Sequence, residues 1–413
     1  MPQGTSLPTV RTLATALRVS PTTVAAAYRT LQQRGLLTAR GRQGTRVSLR
    51  PPLGLHPAAE VPQHLHNLAY GNPDPALLPP LQRLIEQLDL RPRLYGEPPN
   101  RAPLLTLAAQ QFAADGIPAT ALAVTGGALD AIERVLQAHL RLGDRVAVED
   151  PGHSAIFDLL RALGLRAEPV PIDDFGMIPD ALADVLKTGV AACILTPRAH
   201  NPTGAALDAS RARDLRQLCD TYEEVLVIED DYAGPIAGVP AYTVCHESKA
   251  RWAVVRSVSK SLGPDLRLAL LAGDATTVAR VEGRQQLGAG WVSHILQGLV
   301  EALWDDATTV AHLQVAAACY TARRTALLAA LARYEIAASG RSGLNVWIPV
   351  PEEGSVVTSL AAAGWAIRAG ERQRLHSPPA VRVTIATLQP PEAVRFAAEL
   401  TRSLRPARRT PTA

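Results

Sequence analysis

Apolar residues near the N-terminus follow helical spacing in two consecutive runs. In the first run, the positions that share one helical face are Val10, Leu13, Ala14 and Leu17. In the second run, the corresponding positions are Val24, Ala27, Tyr28 and Leu31. Ser20 can N-cap the second helix, Pro21 suits its first position because an N–H is not needed there, and Gly35 suits its end. The pattern predicts two short helices joined by a three-residue turn.

The segment that follows, LLTARGRQGTRVSL, reads as two short strands around a turn rich in arginine and glycine. Two helices followed by such a hairpin form a winged helix-turn-helix, which we predict over residues 1–48. A helical dimerisation arm is the structural alternative for this region. Residues 49–66 contain four prolines and no apolar periodicity, so they are predicted to be a semi-extended linker. We expect His56, His64 and His66 to be solvated there, because a linker offers no rigid scaffold for a metal.

From residue 67 onward, short β-rich runs alternate with amphipathic helical runs, which indicates a doubly wound α/β domain. The candidate strands are Leu122 to Thr125, Arg145 to Glu149, Ala192 to Thr196, Val225 to Glu229, Ala253 to Ser257 and Leu266 to Leu271. We assign the large domain to residues 67–300. Residues 301–413 are predicted to be a smaller C-terminal subdomain with a basic tail, built from a helix over 321–334 and strands over 344–349 and 381–385.

Polar or glycine-rich signatures follow these candidate strands, at the sheet edge where ligands bind in such folds. Lys260 lies in one of them, Ser257-Val258-Ser259-Lys260-Ser261, and the chain has only three lysines. A lysine at this place is a candidate for a Schiff base with an aldehyde cofactor. The other two, Lys187 and Lys249, stand beside loop-like polar residues and are expected to be solvated.

A phosphate group would complete such a site. Gly126, Gly127 and Ala128 open a helix predicted over 129–140, so their backbone N–H groups and the helix dipole can hold phosphate. Arg267, seven residues after Lys260, adds a bidentate cation.

Charge is partitioned unevenly along the chain. Residues 1–50 hold eight arginines and no Asp or Glu, whereas the remaining residues carry a net charge of −4 within a total of +4. A compact basic module is typical of nucleic-acid binding. The chain is biased toward arginine, with 39 Arg against three Lys, but this bias does not account for the missing acids.

Composition excludes several classes of protein. A chain of 413 residues with 47% hydrophobic and 19% charged residues is typical of two or three globular domains. We find no apolar run of membrane-spanning length and no secretion signal. The four cysteines have neither zinc-site nor disulfide spacing, so we expect a cytoplasmic protein without a metal site.

The N-terminal motifs match, in order and spacing, the DNA-binding domain of the GntR family: Leu7-Pro8-x-x-Arg11, Val19-Ser20, Thr23-Val24, Ala27-Tyr28, Leu31, Gly35-Leu36-Leu37 and Gly44-Thr45. By that resemblance, the DNA-binding residues are Arg11, Ser20, Thr22, Thr23 and Arg29, with Arg40, Gly44 and Thr45 at the wing. Pro21 departs from the family, where Arg is frequent. The helix that usually precedes Leu7-Pro8 is expected to be missing from this chain.

The spacings Asn201 to Asp230 (29 residues), Asp230 to Lys260 (30) and Lys260 to Arg267 (7) resemble those of the fold-type-I aminotransferases. Together with the N-terminal domain, the chain is similar to the MocR/GabR class of regulators, in which a GntR-type winged helix is fused to an aminotransferase-like domain. The phrases GGALDAIER and LTPRAHNPTG look most like the PtsJ branch, which is linked to control of pyridoxal kinase and vitamin B6 supply. The resemblance implies pyridoxal 5′-phosphate (PLP) as cofactor, a homodimer, and operator DNA as partner.

The resemblance also implies a role for each site residue. Lys260 would form the aldimine, Asp230 would pair with the pyridine nitrogen, and Asn201 and Tyr232 would bond the phenolate oxygen. The residues implied at the phosphate are Ser257 and Arg267, with Tyr95 reaching it across the dimer, and Arg382 would grip a ligand carboxylate. A structural salt bridge is the alternative role for Arg382.

His153 stands where the family stacks an aromatic residue on the cofactor ring. A histidine stacks less well, and it can titrate near neutral pH. The other departures are Gly126 in place of a phosphate-binding serine, and Asn100 and Leu105 in place of Gly and Arg.

These changes soften the cofactor's surroundings without removing the lysine, which favours a sensor over a fast enzyme. The leading hypothesis is a PLP-responsive transcriptional regulator, with PLP or a related vitamer as effector. One alternative is a working aminotransferase with a degenerate DNA-binding remnant. A PLP carrier is a further alternative, for which the sequence has no dedicated feature.

Overall fold

A computed structural model of the chain describes residues 5–33, 37–39, 44–47 and 60–404. Gly35 and Arg40, linker residues 49–59 and the tail from residue 405 lie outside the described residues.

The N-terminal module has the predicted winged-helix elements. They are α1 (Val10–Leu17), α2 (Pro21–Gln33), β1 (Leu37–Ala39) and β2 (Thr45–Val47), with β1 and β2 antiparallel. Its small core consists of Ala14, Val24, Tyr28 and Leu37. The Tyr28 hydroxyl donates to the carbonyl of Pro8 at 2.8 Å, which ties α2 to the start of the chain. Tyr28 therefore contributes both to the core of this module and to the contact between α2 and the segment before α1.

Two of the predicted core positions in this module are wrong. Leu17 is 59% exposed, and Ala27 is exposed on the outer face of α2. Leu17 is the last residue of α1, and Arg18 after it is in the left-handed conformation. Leu17 therefore lies at the exposed C-terminal end of α1.

The large domain is built on an eight-stranded sheet with the order β4-β11-β10-β9-β8-β5-β6-β7. The strands are β4 (Ala121–Thr125), β5 (Arg145–Asp150), β6 (Arg166–Asp173), β7 (Gly176–Met177), β8 (Ala192–Leu195), β9 (Leu226–Asp231), β10 (Trp252–Ser257) and β11 (Ala269–Gly273). The helices are α3 (Gln82–Ile85), α4 (Ala102–Ala114), α5 (Ala128–His139), α6 (Ser154–Leu163), α7 (Pro179–Leu186), α8 (Ala209–Thr221), α9 (Ala275–Gln286) and α10 (His294–Asp305). Five central strands run parallel, and buried side chains cover both faces of the sheet. The doubly wound α/β prediction is confirmed.

All six candidate strands are present, but two more strands complete the sheet. The sequence RAEPVPID did not indicate β6 because proline cannot donate in a sheet. In the structure, the Arg166 N–H donates to the carbonyl of Asp144, so the N–H groups of even-numbered residues in β6 point toward β5. Pro169 and Pro171 are odd-numbered, so the N–H groups that they lack would point away from β5. The last candidate strand begins later than predicted, at Ala269, because residues 264–266 form a 3₁₀ turn.

The C-terminal part consists of a long helix, two small sheets and two further helices. Its elements are α11 (Ala307–Ala332), β12 (Asn345–Pro349), α12 (Glu353–Ala362), β13 (Trp365–Ala366), β14 (Arg368–Ala369), β15 (Ala380–Thr384) and α13 (Pro390–Leu404). The helix predicted over 321–334 starts 14 residues earlier, where the Asp306 carboxylate caps it by accepting from the Thr309 N–H at 2.9 Å.

The end of the predicted linker is also ordered. His66 and Asn67 form β3, which pairs with β13, and the His66 ring stacks on Trp365 with 5.4 Å between ring centroids. The prediction that His66 is solvated is therefore wrong. None of the helices in the described ranges is long and apolar enough to cross a membrane.

Candidate functional site

A cavity of about 300 Å³ lies at the carboxyl ends of the central strands. Nine residues predicted for cofactor or ligand binding line it: Ala128, His153, Asn201, Asp230, Tyr232, Ser257, Lys260, Arg267 and Arg382. They come from loops after β4, β5, β8 and β10, from β9 and its C-terminal end, and from β15 of the small subdomain. Ligand sites in doubly wound sheets form at this edge.

Three consecutive acids at the end of β9 have three different environments. Glu229 accepts from the Val244 N–H at 2.6 Å and from the Thr243 hydroxyl at 2.9 Å. Asp231 accepts from the Arg198 and Arg256 guanidinium groups. Asp230, between them, lines the cavity, and its buried Oδ1 has no hydrogen-bond donor among the described residues. Asp230 is therefore the acid of this run that is available to a ligand.

The pKa values of these acids follow their partners. Burial, together with the charge of Asp231, raises the pKa of Asp230 to about 7. Burial also raises the pKa of Asp231, but the charges of Arg256 and Arg198 outweigh this effect and hold that pKa well below its usual range. A cationic partner at Asp230 would supply there what the arginines supply at Asp231.

Lys260 lies in the loop after β10, and its amine donates to the carbonyl oxygen of Gly71 at 2.5 Å. Burial lowers the pKa of this amine to about 8, and the charge of Arg382 contributes to the lowering. A larger share of Lys260 is therefore neutral near pH 7 than for an exposed lysine, and the neutral amine is the nucleophilic form.

Arg382, in β15, is buried and holds two acceptors. Its Nη1 donates to Asn201 Oδ1 at 3.0 Å and its Nη2 to the carbonyl of Ala69 at 2.6 Å, while its Nε has no acceptor. Burial lowers its pKa to about 10, and Arg368 adds to this effect. No carboxylate forms a salt bridge with Arg382 among the residues described. The salt-bridge alternative for Arg382 thus finds no carboxylate partner there.

Tyr232 follows β9 and donates its hydroxyl hydrogen to the carbonyl of Ala199 at 2.5 Å. Burial raises the pKa of this phenol, so the hydroxyl stays protonated. Ala199 is itself in the left-handed region, with φ of 56°. The loop that leads to Asn201 is thereby fixed against β9.

The predicted phosphate end of the cavity is formed by the start of α5 and by Arg267. A Cβ atom at Gly127, where φ is +109°, would lie 3.2 Å from an Arg267 nitrogen, so only glycine allows this approach. Ser257 accepts from the Ser259 N–H at 3.2 Å through its hydroxyl oxygen. Gly126 differs from the prediction, because its N–H donates to the Asp130 carboxylate at 2.9 Å and is already engaged. We therefore remove Gly126 from the candidate phosphate donors.

His153 lines the cavity after β5, as its position in the sequence predicted. Burial, together with the charges of Arg382 and Lys260, lowers its pKa to about 4. The prediction that this ring can titrate near neutral pH is wrong, chiefly because burial disfavours the charged ring. His153 is a neutral ring at physiological pH.

The prediction for Tyr95, which is expected to act across a dimer, stays a prediction, whereas the one for Lys249 is wrong. Tyr95 is 93% exposed and packs edge-on against Trp291 outside this chain's own cavity. Lys249, predicted to be solvated, is buried, and its amine donates to the carbonyls of Cys219 at 2.8 Å and Tyr222 at 3.2 Å. It closes the C-terminal end of α8, where free carbonyls accept a cation. Lys187 lies at the surface beside Asp184.

Sequence reasoning missed several cavity residues. They are Gly71, Asn72, Leu129, Thr196, Ser259, Leu344 and Asn345. Gly71 and Asn72 precede Pro73, and this turn signature was the available signal. Leu344 and Asn345 carry no signal of their own, because only the packing of the small subdomain brings them to the cavity.

In the winged helix, the predicted DNA-binding residues Arg11, Ser20, Thr22 and Thr23 are exposed. The Ser20 hydroxyl oxygen accepts from the Thr23 N–H at 3.1 Å, so Ser20 caps α2 and fixes its first turn. Thr45 starts β2, and Gly44 before it has φ of +78°. The side chain of Arg29 and all of Arg40 lie outside what the structure describes.

The cavity fits PLP on the basis of its own residues. Three cationic side chains and one carboxylate line it, which favours an anionic ligand: Lys260, Arg267, Arg382 and Asp230. The unpartnered oxygen of Asp230 suits a pyridinium N–H, and the close approach of Gly127 to Arg267 suits a phosphate. Lys260 is the residue that would hold the aldehyde carbon.

Comparison with known proteins identifies both parts of the chain. Residues 1–47 match the family of bacterial regulatory proteins of the gntR type, and residues 65–400 match aminotransferase class I and II. The chain is 42% identical over 403 residues to the vitamin B6 salvage pathway transcriptional repressor PtsJ of Salmonella typhimurium, which covers 97% of this chain and 93% of that protein. It is 30% identical over 325 residues to the transcriptional regulator TauR of Rhodobacter capsulatus, covering 67% and 65% of the two chains.

Solved structures share the fold of the large part. Kynurenine aminotransferase of Pyrococcus horikoshii superposes with a TM-score of 0.75 at 21% identity, over 83% of this chain and 91% of that one. The α-aminoadipate aminotransferase LysN of Thermus thermophilus gives 0.73 at 22% identity, over 83% and 92%. The matched families cover the winged helix and the PLP-type domain together. This chain belongs to the family of transcriptional regulators in which a GntR-type DNA-binding domain precedes an aminotransferase class I and II domain with PLP as its cofactor.

Proposed function

We propose that this protein is a cytoplasmic transcriptional repressor of vitamin B6 salvage whose affinity for operator DNA responds to PLP bound at Lys260. The observation that carries the proposal is the joint presence of an exposed winged-helix surface and an intact cofactor cavity in one chain. The 42% identity with PtsJ over nearly the whole length supports the same role. When bound, PLP supplies an aldehyde that the Lys260 amine can attack.

One segment connects the cavity to the DNA-binding side of the chain. We call residues 60–72 the strap. They include the last part of the predicted linker, from residue 60 onward, and they end in the cavity. The side-chain oxygen of Asn67 accepts from the Ala69 and Tyr70 N–H groups, which turns the strap from β3 into the cavity. The Tyr70 hydroxyl oxygen then accepts from the Val61 N–H at 3.2 Å, back at the start of the strap.

The strap contacts two of the three cations that line the cavity. The carbonyl of Ala69 accepts from Arg382 and the carbonyl of Gly71 accepts from Lys260. A ligand aldehyde on Lys260, or a ligand carboxylate on Arg382, competes with these carbonyls for the same donors. Ligand binding would therefore change the strap, and the strap leads to the winged helix, which gives the effector a physical route to DNA affinity.

A homodimer is part of the proposal. Exposed apolar side chains cluster in two segments: Leu90, Leu94 and Tyr95, and Leu287 and Ile295. Tyr95 contacts Trp291, so the two segments form one surface. We propose that a second copy covers it and that Tyr95 reaches the phosphate of the partner's cofactor. If so, Leu94→Asp would give monomers in sedimentation, and Tyr95→Phe would leave dimers that bind PLP more weakly.

Transaminase chemistry is the second candidate, favoured by the retained pair of Lys260 and Arg382 in one cavity. Adding single amino acids to the PLP-loaded protein tests it. Conversion of the bound cofactor to its amine form, followed by absorbance, would establish a half-reaction.

The experiment that tests the proposal is a fluorescence-anisotropy titration onto DNA from upstream of the protein's own gene and its neighbours. We expect selective, salt-sensitive binding that PLP changes at least about fivefold, a typical coupling between two sites. Lys260→Ala should keep selective binding and lose the PLP response, whereas Lys187→Ala should keep both. Selective binding that PLP leaves unchanged would refute the regulatory role of the cavity.

A further inference from the structure

Two donors converge on the side-chain oxygen of Asn201. Arg382 Nη1 lies 3.0 Å from it, and Gln373 Nε2 also lies 3.0 Å from it. A guanidinium group can only donate, so the atom of Asn201 that faces Arg382 must be the oxygen. The atom of Gln373 that faces the same oxygen must then be its nitrogen. Donor and acceptor chemistry thus fixes the orientation of both amides.

This orientation leaves the amide nitrogen of Asn201 for the cavity. Asn201 lines the cavity, and its Nδ2 has no acceptor among the residues described. A rotation of the Asn201 amide by half a turn would place two N–H groups against two donors. Asn201 is consequently held as a donor toward whatever occupies the cavity.

Gln373 is itself held rigidly in the loop between β14 and β15. Its carbonyl accepts from the Gly152 N–H at 2.7 Å, next to His153, and its own N–H donates to Gly370 at 2.7 Å. Two residues later, the Asp150 carboxylate accepts from consecutive N–H groups of residues 375–377. The loop is thereby attached to the segment of the large domain that directly precedes His153, the predicted ring-stacking position.

The oxygen of the Gln373 side-chain amide is in an unfavourable environment. Gln373 is only 3% exposed, and its Oε1 has no donor among the described residues. A buried acceptor without a partner is unfavourable, and an apolar side chain would avoid it. The contact made by Nε2 is what a glutamine adds at this position.

We propose that Gln373 is a positioning residue, which fixes Asn201 as a hydrogen-bond donor to an anionic oxygen of the ligand. This inference rests on the proposed function for the identity of that ligand, PLP, whose ring bears a phenolic oxygen. A fixed donor at that oxygen stabilises its anionic form and lowers its pKa. The small subdomain thus influences the ionisation of the cofactor through the loop residue Gln373, which acts on Asn201 together with Arg382.

The test is a pH titration of the absorbance of bound PLP, together with its dissociation constant, in the full-length protein without DNA. In Gln373→Leu, we expect the titration midpoint to rise by about half to one pH unit and PLP binding to weaken about threefold to tenfold, the effect of losing one hydrogen bond between uncharged groups. Arg372→Ala, in the same loop but in an exposed ion pair with Asp158, should change neither quantity.

Gln373→Glu is the second variant and keeps the size of the side chain. Its carboxylate cannot donate to the Asn201 oxygen and attracts Arg382, so we expect a shift in the same direction even if the leucine variant folds poorly. Asn201→Ala gives the limit of the effect. Midpoints and dissociation constants that equal the unmodified protein's in both Gln373 variants, with Asn201→Ala shifted, would overturn this inference alone. If the unmodified protein fails to bind PLP, the proposed function falls with it.

Discussion

The ε-amino group of Lys260 donates to the carbonyl oxygen of Gly71 at 2.5 Å. Gly71 belongs to the strap, and the neighbouring carbonyl of Ala69 accepts from Arg382. Two of the three cations that line the cavity, Lys260 and Arg382, therefore hold the same stretch of backbone. That stretch of backbone continues through the linker to the winged helix. One covalent segment therefore joins the cavity to the winged helix.

Tyr70→Phe should uncouple the two ends of this path. The substitution removes the acceptor of the Val61 N–H while leaving the carbonyls of the strap in place. We expect the effect of PLP on DNA affinity to fall at least about threefold, with PLP affinity changed by less than about twofold. Tyr334→Phe, at a partly exposed tyrosine after α11, is the matched control. An unaltered PLP effect on DNA affinity in Tyr70→Phe would exclude the strap as the route.

The neighbours Asp230 and Asp231 should respond oppositely to the same change. Asp230→Asn removes the charge that a pyridinium would meet, so PLP affinity should fall about tenfold to a hundredfold, as expected for a hydrogen bond between charged groups. Asp231→Asn removes the more buried of the two carboxylates that Arg198 and Arg256 share, the other being Asp115, and should lower the free energy of unfolding by about 3 kcal/mol.

Isothermal titration with PLP and urea unfolding, applied to both variants, separate these effects. Each variant serves as the control for the other, since the residues are adjacent and equally buried. Loss of stability in Asp230→Asn with unchanged PLP affinity would show that Asp230 is structural.

The pKa of Lys260, about 8, sets the pH dependence of cofactor attachment. The neutral amine is the reactive form, so the rate should rise about tenfold per pH unit below that pKa and level off above it. The positive charge of Arg382 contributes to the lowering, and therefore Arg382→Leu should move the inflection to higher pH. Stopped-flow absorbance after mixing with PLP measures the rate. An inflection near the ordinary lysine pKa in the unmodified protein would contradict the buried environment of Lys260.

Arg11→Ala should weaken DNA binding without affecting the cofactor. The side chain is exposed on α1 and is predicted to meet a phosphate. We expect similar weakening on all DNA sequences and a decrease of about 0.9 in the slope of log affinity against log salt. Arg161→Ala, at an exposed arginine of α6, is the control. A sequence-dependent loss in Arg11→Ala would instead indicate a base contact.

Most of the cofactor site could be predicted because it lies where strands end. Asp230, Ser257 and Lys260 follow buried runs that are visible in the sequence, and the chemistry of each residue type restricts its role. Gly126 failed as a phosphate donor because a carboxylate four residues later, Asp130, takes its N–H. His153 failed as a neutral-pH group because its burial and its cationic neighbours are set by the tertiary fold.

The contribution of the small subdomain could not be predicted in the same way. Gln373 lies in a loop without a motif, 172 residues after the side chain that it orients. Residues 60–66 of the strap were predicted to be linker because residues 49–66 contain four prolines. The short strand β3, which begins at His66 and pairs with residues 365–366, was therefore not predicted. In both cases the deciding contacts join segments far apart in the chain, and no local pattern encodes them.

In the proposed function, PLP and operator DNA bind one protein and influence each other's affinity. Thermodynamic linkage requires that the factor by which PLP changes DNA affinity equals the factor by which DNA changes PLP affinity. The most direct measurement is therefore the dissociation constant of PLP, from the absorbance of the bound cofactor, with and without saturating operator DNA. We expect a ratio equal to that found by DNA titration, and in Tyr70→Phe a ratio that is smaller by at least about threefold. The same PLP affinity with and without operator DNA in the unmodified protein would contradict the proposed coupling.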